Sequence, residues 1–118
     1  KTVRYDGIEK GWIGLDIGKE TVGDYCGIIE GSKTVIWAGP LGRYEVVNFA
    51  EGTDKIAAAM SRVDGVSIVG GGDSVAAVEN AGYVDKLTHV STGGSAFLEF
   101  IEGKKLPGIL ALEKSYKA

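Results

Sequence analysis

Apolar residues along this chain fall into two rhythms, one of short β-branched runs and one of three-to-four-residue spacing. The first rhythm is clearest at Val66-Ser67-Ile68-Val69, which predicts a short buried strand. Lys33-Thr34-Val35-Ile36-Trp37 predicts a second strand, and His89-Val90-Ser91 a third. Lys1 to Tyr5 allows a fourth, short one. The helical rhythm appears over 19–30, where Val22, Cys26 and Ile29 share a side, with Gly31-Ser32 as the stop. It returns over 53–63, where Thr53 is placed to cap and Ile56, Met60 and Val63 share a face. Further helices are predicted over 75–81, 95–102 and from Pro107 through Leu112. Val46 to Ala50 has room for a turn or two.

Strand and helix alternate, so the fold class is α/β: a Rossmann-like, three-layer α/β/α arrangement around a parallel sheet. At 118 residues the chain is one domain, with 44% hydrophobic residues to build a core. The 19 glycines far exceed the usual ~7% and sit between strand and helix patterns, where tight turns are needed.

The central strand runs into Gly70-Gly71-Gly72, then Asp73-Ser74, either of which can cap a helix, then the helix body Val75 to Asn80. The same grammar recurs at Thr92-Gly93-Gly94-Ser95. Glycines remove side chains that would hold an anion away, and a helix start offers unpaired N–H groups and partial positive charge. Two such loops suggest one polyphosphate site at adjacent strand ends. Tight strand-to-helix turns explain the glycines equally well. Neither the G-x-x-x-x-G-K-S/T loop nor the G-x-G-x-x-G spacing is present. Asp73 is likewise open between a helix cap and an oxygen ligand for magnesium. The strand at Val35 empties into Ala38-Gly39-Pro40-Leu41-Gly42, and such strand ends hold ligands in open α/β sheets.

Composition removes other classes. A net charge of −3, spread along the chain, argues against nucleic acid or an acidic membrane as the main partner. No run of 18 apolar residues exists, so membrane insertion is not expected. The single cysteine, Cys26, cannot form an internal disulfide, which fits a reducing, cytosol-like compartment. No Cys/His cluster suits zinc, and His89, the only histidine, reads as a strand residue rather than a base.

The order of motifs is specific. Gly11-Trp12-Ile13-Gly14-Leu15-Asp16-Ile17-Gly18 comes first, then Val35 to Gly42, then Gly70-Gly71-Gly72-Asp73-Ser74. His89-Val90-Ser91-Thr92-Gly93-Gly94 follows, and Leu98 to Gly108 closes the series. It resembles the C-terminal, nucleotide-binding part of phosphoglycerate kinase, and the resemblance covers nearly the whole of 1–118 as a single partial domain, about half of that domain in the family. The resemblance implies a cytoplasmic transferase of glycolysis that interconverts ATP plus 3-phosphoglycerate and ADP plus 1,3-bisphosphoglycerate. It implies Mg-ATP or Mg-ADP as cofactor. Ile13, Gly14 and Leu15 would line the adenine pocket. Pro40 and Glu45 would face the nucleotide, with Glu45 near the ribose hydroxyls. Asp73 would hold the metal, next to Gly72 and Ser74 in the nucleotide site. Gly71, Gly72, Gly93 and Gly94 would donate to the transferring phosphoryl group.

The chain departs from the family at five places. Ala38 stands for asparagine, Arg43 for a small apolar residue, Ser95 for glycine, Phe97 for serine and Lys19 for a common proline. The earlier lysines and aspartate of the nucleotide domain, and the basic domain that binds glycerate, are not represented. The chain alone is therefore expected to be inactive in turnover. The expected partners are nucleotide and either the missing kinase portion or a second copy. The alternative is a catalytically inactive binding or structural module of the same descent, such as an engineered fragment or a subunit of a larger assembly.

Overall fold

A computed structural model describes residues 1–117. Three parallel strands form one sheet in the order β1-β2-β3: β1 (Thr34–Ala38), β2 (Val66–Gly70) and β3 (His89–Ser91). Trp37 stands beside Val69, and Val69 beside Val90. Around the sheet run α1 (Lys19–Glu30), α2 (Glu51–Met60), α3 (Gly72–Asn80), α4 (Gly94–Ile101) and α5 (Pro107–Lys117).

Strand alternation decides the layers. Trp37 and Val69 point to one face, where Ile56, Ala57 and Met60 of α2 and Val75 and Val78 of α3 close the core over them. Cys26 and Ile29 of α1 pack against the outer side of this cluster. Ile36, Ile68 and Gly70 belong to the opposite face. Phe97 of α4 covers Gly70 there, so closely that a Cβ on Gly70 would run into its ring. Ile36 remains 44% exposed, so the second face is only partly covered. The expected α/β/α order is thus present, with its second helical layer thin.

Helix ends follow local chemistry where local chemistry suffices. Gly82 and Gly103 adopt φ of +77° and +80°, which only glycine takes without strain. Tyr83 N–H donates to the Val78 carbonyl and Gly82 N–H to that of Glu79, the paired bonds of a Schellman stop. Lys104 and Gly103 repeat the pattern at Glu99 and Phe100.

Four expectations are corrected. Lys1 to Tyr5 forms no strand; it borders Ile17 to Lys19, away from the sheet, and ends in a 3-10 turn at Tyr5–Gly7. Lys1 pairs with Glu9 at 2.6 Å and lies over the Trp12 ring, so the arm folds on itself. Thr53 does not cap α2, which begins two residues earlier, at Glu51. Neither Asp73 nor Ser74 caps α3, because the helix starts at Gly72 and places both in its first turn. Finally, α5 continues past Leu112 to Lys117, since no glycine or proline interrupts 109–117.

Candidate functional site

A cleft of about 590 Å³ opens at the carboxyl ends of β1 and β2. Its walls are Gly14 to Ile17, the loop Pro40 to Glu45, and Asp73 from the start of α3. This is where parallel sheets place ligands, because the loops there leave the core and carry variable side chains.

Three buried or half-buried side chains hold the walls together. Asp16 accepts the Gly52 N–H at 2.8 Å through one carboxylate oxygen and the Ile17 N–H at 2.8 Å through the other. Gly52 sits in the first turn of α2, so Asp16 satisfies an orphan donor that Ala50, at the N-cap, cannot. Thr53, fully buried, accepts from the N–H groups of Leu41 and Gly42 at 3.2 and 3.3 Å. Ser74, 1% exposed, accepts the Gly39 N–H at 2.6 Å. The Trp37 indole donates to the Gly39 carbonyl at 2.6 Å, so both sides of that peptide position are fixed. Gly39 has φ of +96°, a conformation that turns the chain sharply out of β1. Gly42 and Gly52 have no room for a Cβ, because the Asp16 carboxylate occupies it.

The glycine loops meet at the neighbouring strand ends. A Cβ on Gly71 would lie 3.8 Å from the Gly94 Cα. Gly71 takes φ of +96° and donates its N–H to the Ser91 carbonyl at 3.1 Å, so that amide is already engaged. The first intrahelical bond of α3 is Val75 N–H to Gly71 carbonyl, which leaves the N–H groups of Gly72 to Ser74 outside the helical ladder.

The structure gathers five of the expected nucleotide residues in one cleft: Gly14, Leu15, Pro40, Glu45 and Asp73. Ile13 lies outside it, 74% exposed, on a neighbouring groove with Trp12 and Phe49. Ser74 is turned inward as the latch on Gly39. Gly72, Gly93 and Gly94 are exposed at the starts of α3 and α4. His89 is an exposed strand residue.

Charge in the cleft is mostly negative, from Asp16, Glu45 and Asp73, with Arg43 as its cation. Burial raises the Tyr44 phenol above its ordinary value, and the nearby Glu45 and Asp73 carboxylates push the same way. Sequence reasoning missed Asp16, Thr53 and Tyr44. A small polar residue at helical spacing from Ile56, Ala57 and Met60, as Thr53 is within α2, was the available signal for a buried hydrogen bond.

Among the described residues no helix is long and apolar enough to cross a membrane, and no group of three or more His, Cys, Asp or Glu is arranged for a metal ion.

Comparison with known proteins agrees with this architecture. The phosphoglycerate kinase of Moorella thermoacetica is 54% identical over 112 residues, 95% of this chain and 28% of that protein. The phosphoglycerate kinase of Rippkaea orientalis is 52% identical over 117 residues, 97% of this chain and 29% of that protein. Among solved structures, phosphoglycerate kinase from Pyrococcus horikoshii superposes with a TM-score of 0.80 at 38% identity, over 87% of this chain and 25% of that one. The Coxiella burnetii enzyme gives 0.75 at 42%, over 80% of this chain and 24% of that one. The chain therefore spans a little over a quarter of the length of the curated relatives it matches. The family model described as Phosphoglycerate kinase matches residues 1–104. With that match over most of its length, the chain belongs to the phosphoglycerate kinase family and spans part of that family's fold.

Proposed function

We propose that this chain is the nucleotide-binding portion of a cytoplasmic phosphoglycerate kinase and binds Mg-ADP or Mg-ATP in the strand-end cleft. The observation that carries the reading is the meeting of Gly14, Leu15, Pro40 and Glu45 with Asp73 around one cavity of about 590 Å³. Leu15 and Pro40 offer an apolar wall for a base, and Glu45 offers a carboxylate acceptor for sugar hydroxyls.

The residues present suit magnesium. Asp73 is exposed, lines the cleft, and makes no ion pair or side-chain hydrogen bond among the described residues. One carboxylate beside phosphate oxygens and water is the donor set this ion takes in phosphoryl-transfer sites. When bound, the ion would neutralise charge on the transferred group. The chain's own contribution is positioning. The N–H groups at the start of α3 would donate to a bound phosphate, and Ser74 and Thr53 hold the opposite wall in place. In the whole kinase, the reaction supported is reversible phosphoryl transfer between 1,3-bisphosphoglycerate and ADP. Its other partner is the remaining kinase portion, or in its absence a second copy of the chain.

A second reading, a nucleotide-free structural module of the same descent, is favoured by Ala38, Arg43 and Ser95, which depart from the family pattern around the site. Isothermal titration with Mg-ADP separates the two. Saturable heat at one site per chain supports the nucleotide reading, and no binding at millimolar nucleotide overturns it.

A further inference from the structure

The side chains lining the cleft are unevenly matched to an anion. Asp16, Glu45 and Asp73 accept hydrogen bonds when ionised, whereas Arg43 and Tyr44 carry donors. Tyr44 is half-buried, and the backbone around it is held at three points. Its own N–H donates to the Gly42 carbonyl at 2.9 Å, the Arg43 N–H to the Leu15 carbonyl at 2.9 Å, and the Val46 N–H to the Arg43 carbonyl at 3.0 Å. The Tyr44 hydroxyl has no hydrogen-bond partner among the described residues. No buried side-chain oxygen or nitrogen there lacks a partner, so this hydroxyl is open to solvent. The charges of Glu45 and Asp73 both act on it, and with burial they keep it neutral beyond the ordinary tyrosine range. It is an unused, uncharged donor in electrostatic range of the carboxylate that suits the metal.

We propose that the Tyr44 hydroxyl is a further binding group of this cleft, donating a hydrogen bond to a phosphate oxygen of the nucleotide beside Asp73. The proposal rests on the nucleotide reading above. Phosphate oxygens entering a cleft rich in carboxylates need donors, and a neutral O–H supplies one without the cost of desolvating a charge. Asp73 decides between phosphate and sugar. Glu45 follows Tyr44 in the chain and lies near it in any case, but Asp73 acts on the phenol from the first turn of α3, the anion-binding end of the cleft.

Titration calorimetry of the 118-residue chain tests it on the parent and Tyr44→Phe. The substitution keeps the ring and removes only the hydroxyl, so the wall keeps its shape; circular dichroism checks the fold. The probes are Mg-ADP and the magnesium complex of a dideoxy-ADP that lacks both ribose hydroxyls. Tyr44→Phe should weaken Mg-ADP about two- to tenfold, the net worth of one hydrogen bond. The same factor should appear with the dideoxy nucleotide, because the bond goes to phosphate. Unchanged Mg-ADP affinity, the result expected of a ring that only packs, overturns the proposal. A loss that vanishes on the dideoxy nucleotide moves the hydroxyl to the sugar and overturns the assignment to phosphate. Both of these leave the nucleotide site standing. No Mg-ADP binding by the parent overturns the nucleotide reading, and this proposal with it.

Discussion

The Ser74 hydroxyl accepts the Gly39 amide proton at 2.6 Å and so ties the first turn of α3 to the loop that leaves β1. These residues are 35 positions apart, and each lies next to a cleft residue, Asp73 and Pro40. The bond sets the distance between the two sides of the site. Ser74→Ala should lower stability by about 1–2 kcal/mol, the usual penalty for removing one partner of a buried hydrogen bond. It should also weaken Mg-ADP, since Pro40 and Asp73 would no longer be held in register. Urea denaturation measures the first effect, and a change within about 0.5 kcal/mol would contradict the latch.

Phe97 and Gly70 form the main contact on the second face of the sheet. The ring lies where a Cβ on Gly70 would have to be. Gly70→Ala should therefore cost about 1–3 kcal/mol by overpacking. In a Phe97→Ala background the same substitution should be nearly neutral, giving a coupling of about 1–2 kcal/mol in a double-mutant cycle. Additive effects would show that the ring moves aside freely.

Tyr44 gives a pH dependence with a fixed sign. Its folded-state pKa is raised by burial first, then by Glu45 and Asp73. The neutral phenol is the form the fold accepts. Stability contributed this way is fully present below the ordinary tyrosine value of 10.0 and is lost as pH rises through the higher folded value. The ultraviolet difference spectrum between the parent and Tyr44→Phe isolates this phenol from the other four tyrosines. Titration at or below the ordinary value would contradict the placement.

Much of the fold was legible because its signals are local. The span 19–30 reads as a helix from apolar spacing alone, and the observed α1 is Lys19–Glu30. The sheet follows from β-branched runs ending in glycine, and β1, β2 and β3 lie where those runs do. What failed depended on distant partners. Lys1 to Tyr5 has a plausible strand composition, yet a strand exists only beside another strand. Thr53 and Ser74 look like caps from their neighbours, but their hydroxyls serve Leu41, Gly42 and Gly39. The donor to be satisfied at the start of α2 is met by Asp16, 36 residues away. No local pattern carries that pairing. The site was legible as a series of motifs, and their meeting around one cleft needed the fold.

The thin second layer bears on assembly. Ile36 at the β1 edge is 44% exposed, and Phe100 and Leu98 of α4 are 61% and 48% exposed. Unpaired strand edges and contiguous apolar surface recruit partners. Without the remaining kinase portion, the chain should form a symmetric homodimer, and Ile36→Glu should shift it to monomer. Sedimentation velocity over a wide concentration range reads this, and a single monomeric species throughout would rule the dimer out.

The central claim is that the strand-end cleft holds a magnesium nucleotide through Asp73. The most direct test compares the parent with Asp73→Ala by calorimetric titration of ADP, with magnesium and with the metal chelated. Asp73 sits in the first turn of α3 without a capping hydrogen bond, so its removal should leave the helix start intact. The account predicts that Asp73→Ala weakens Mg-ADP about tenfold or more, the loss of one charge-assisted contact, while free ADP binds nearly as before. Equal weakening with and without magnesium, or no weakening in either, would contradict it.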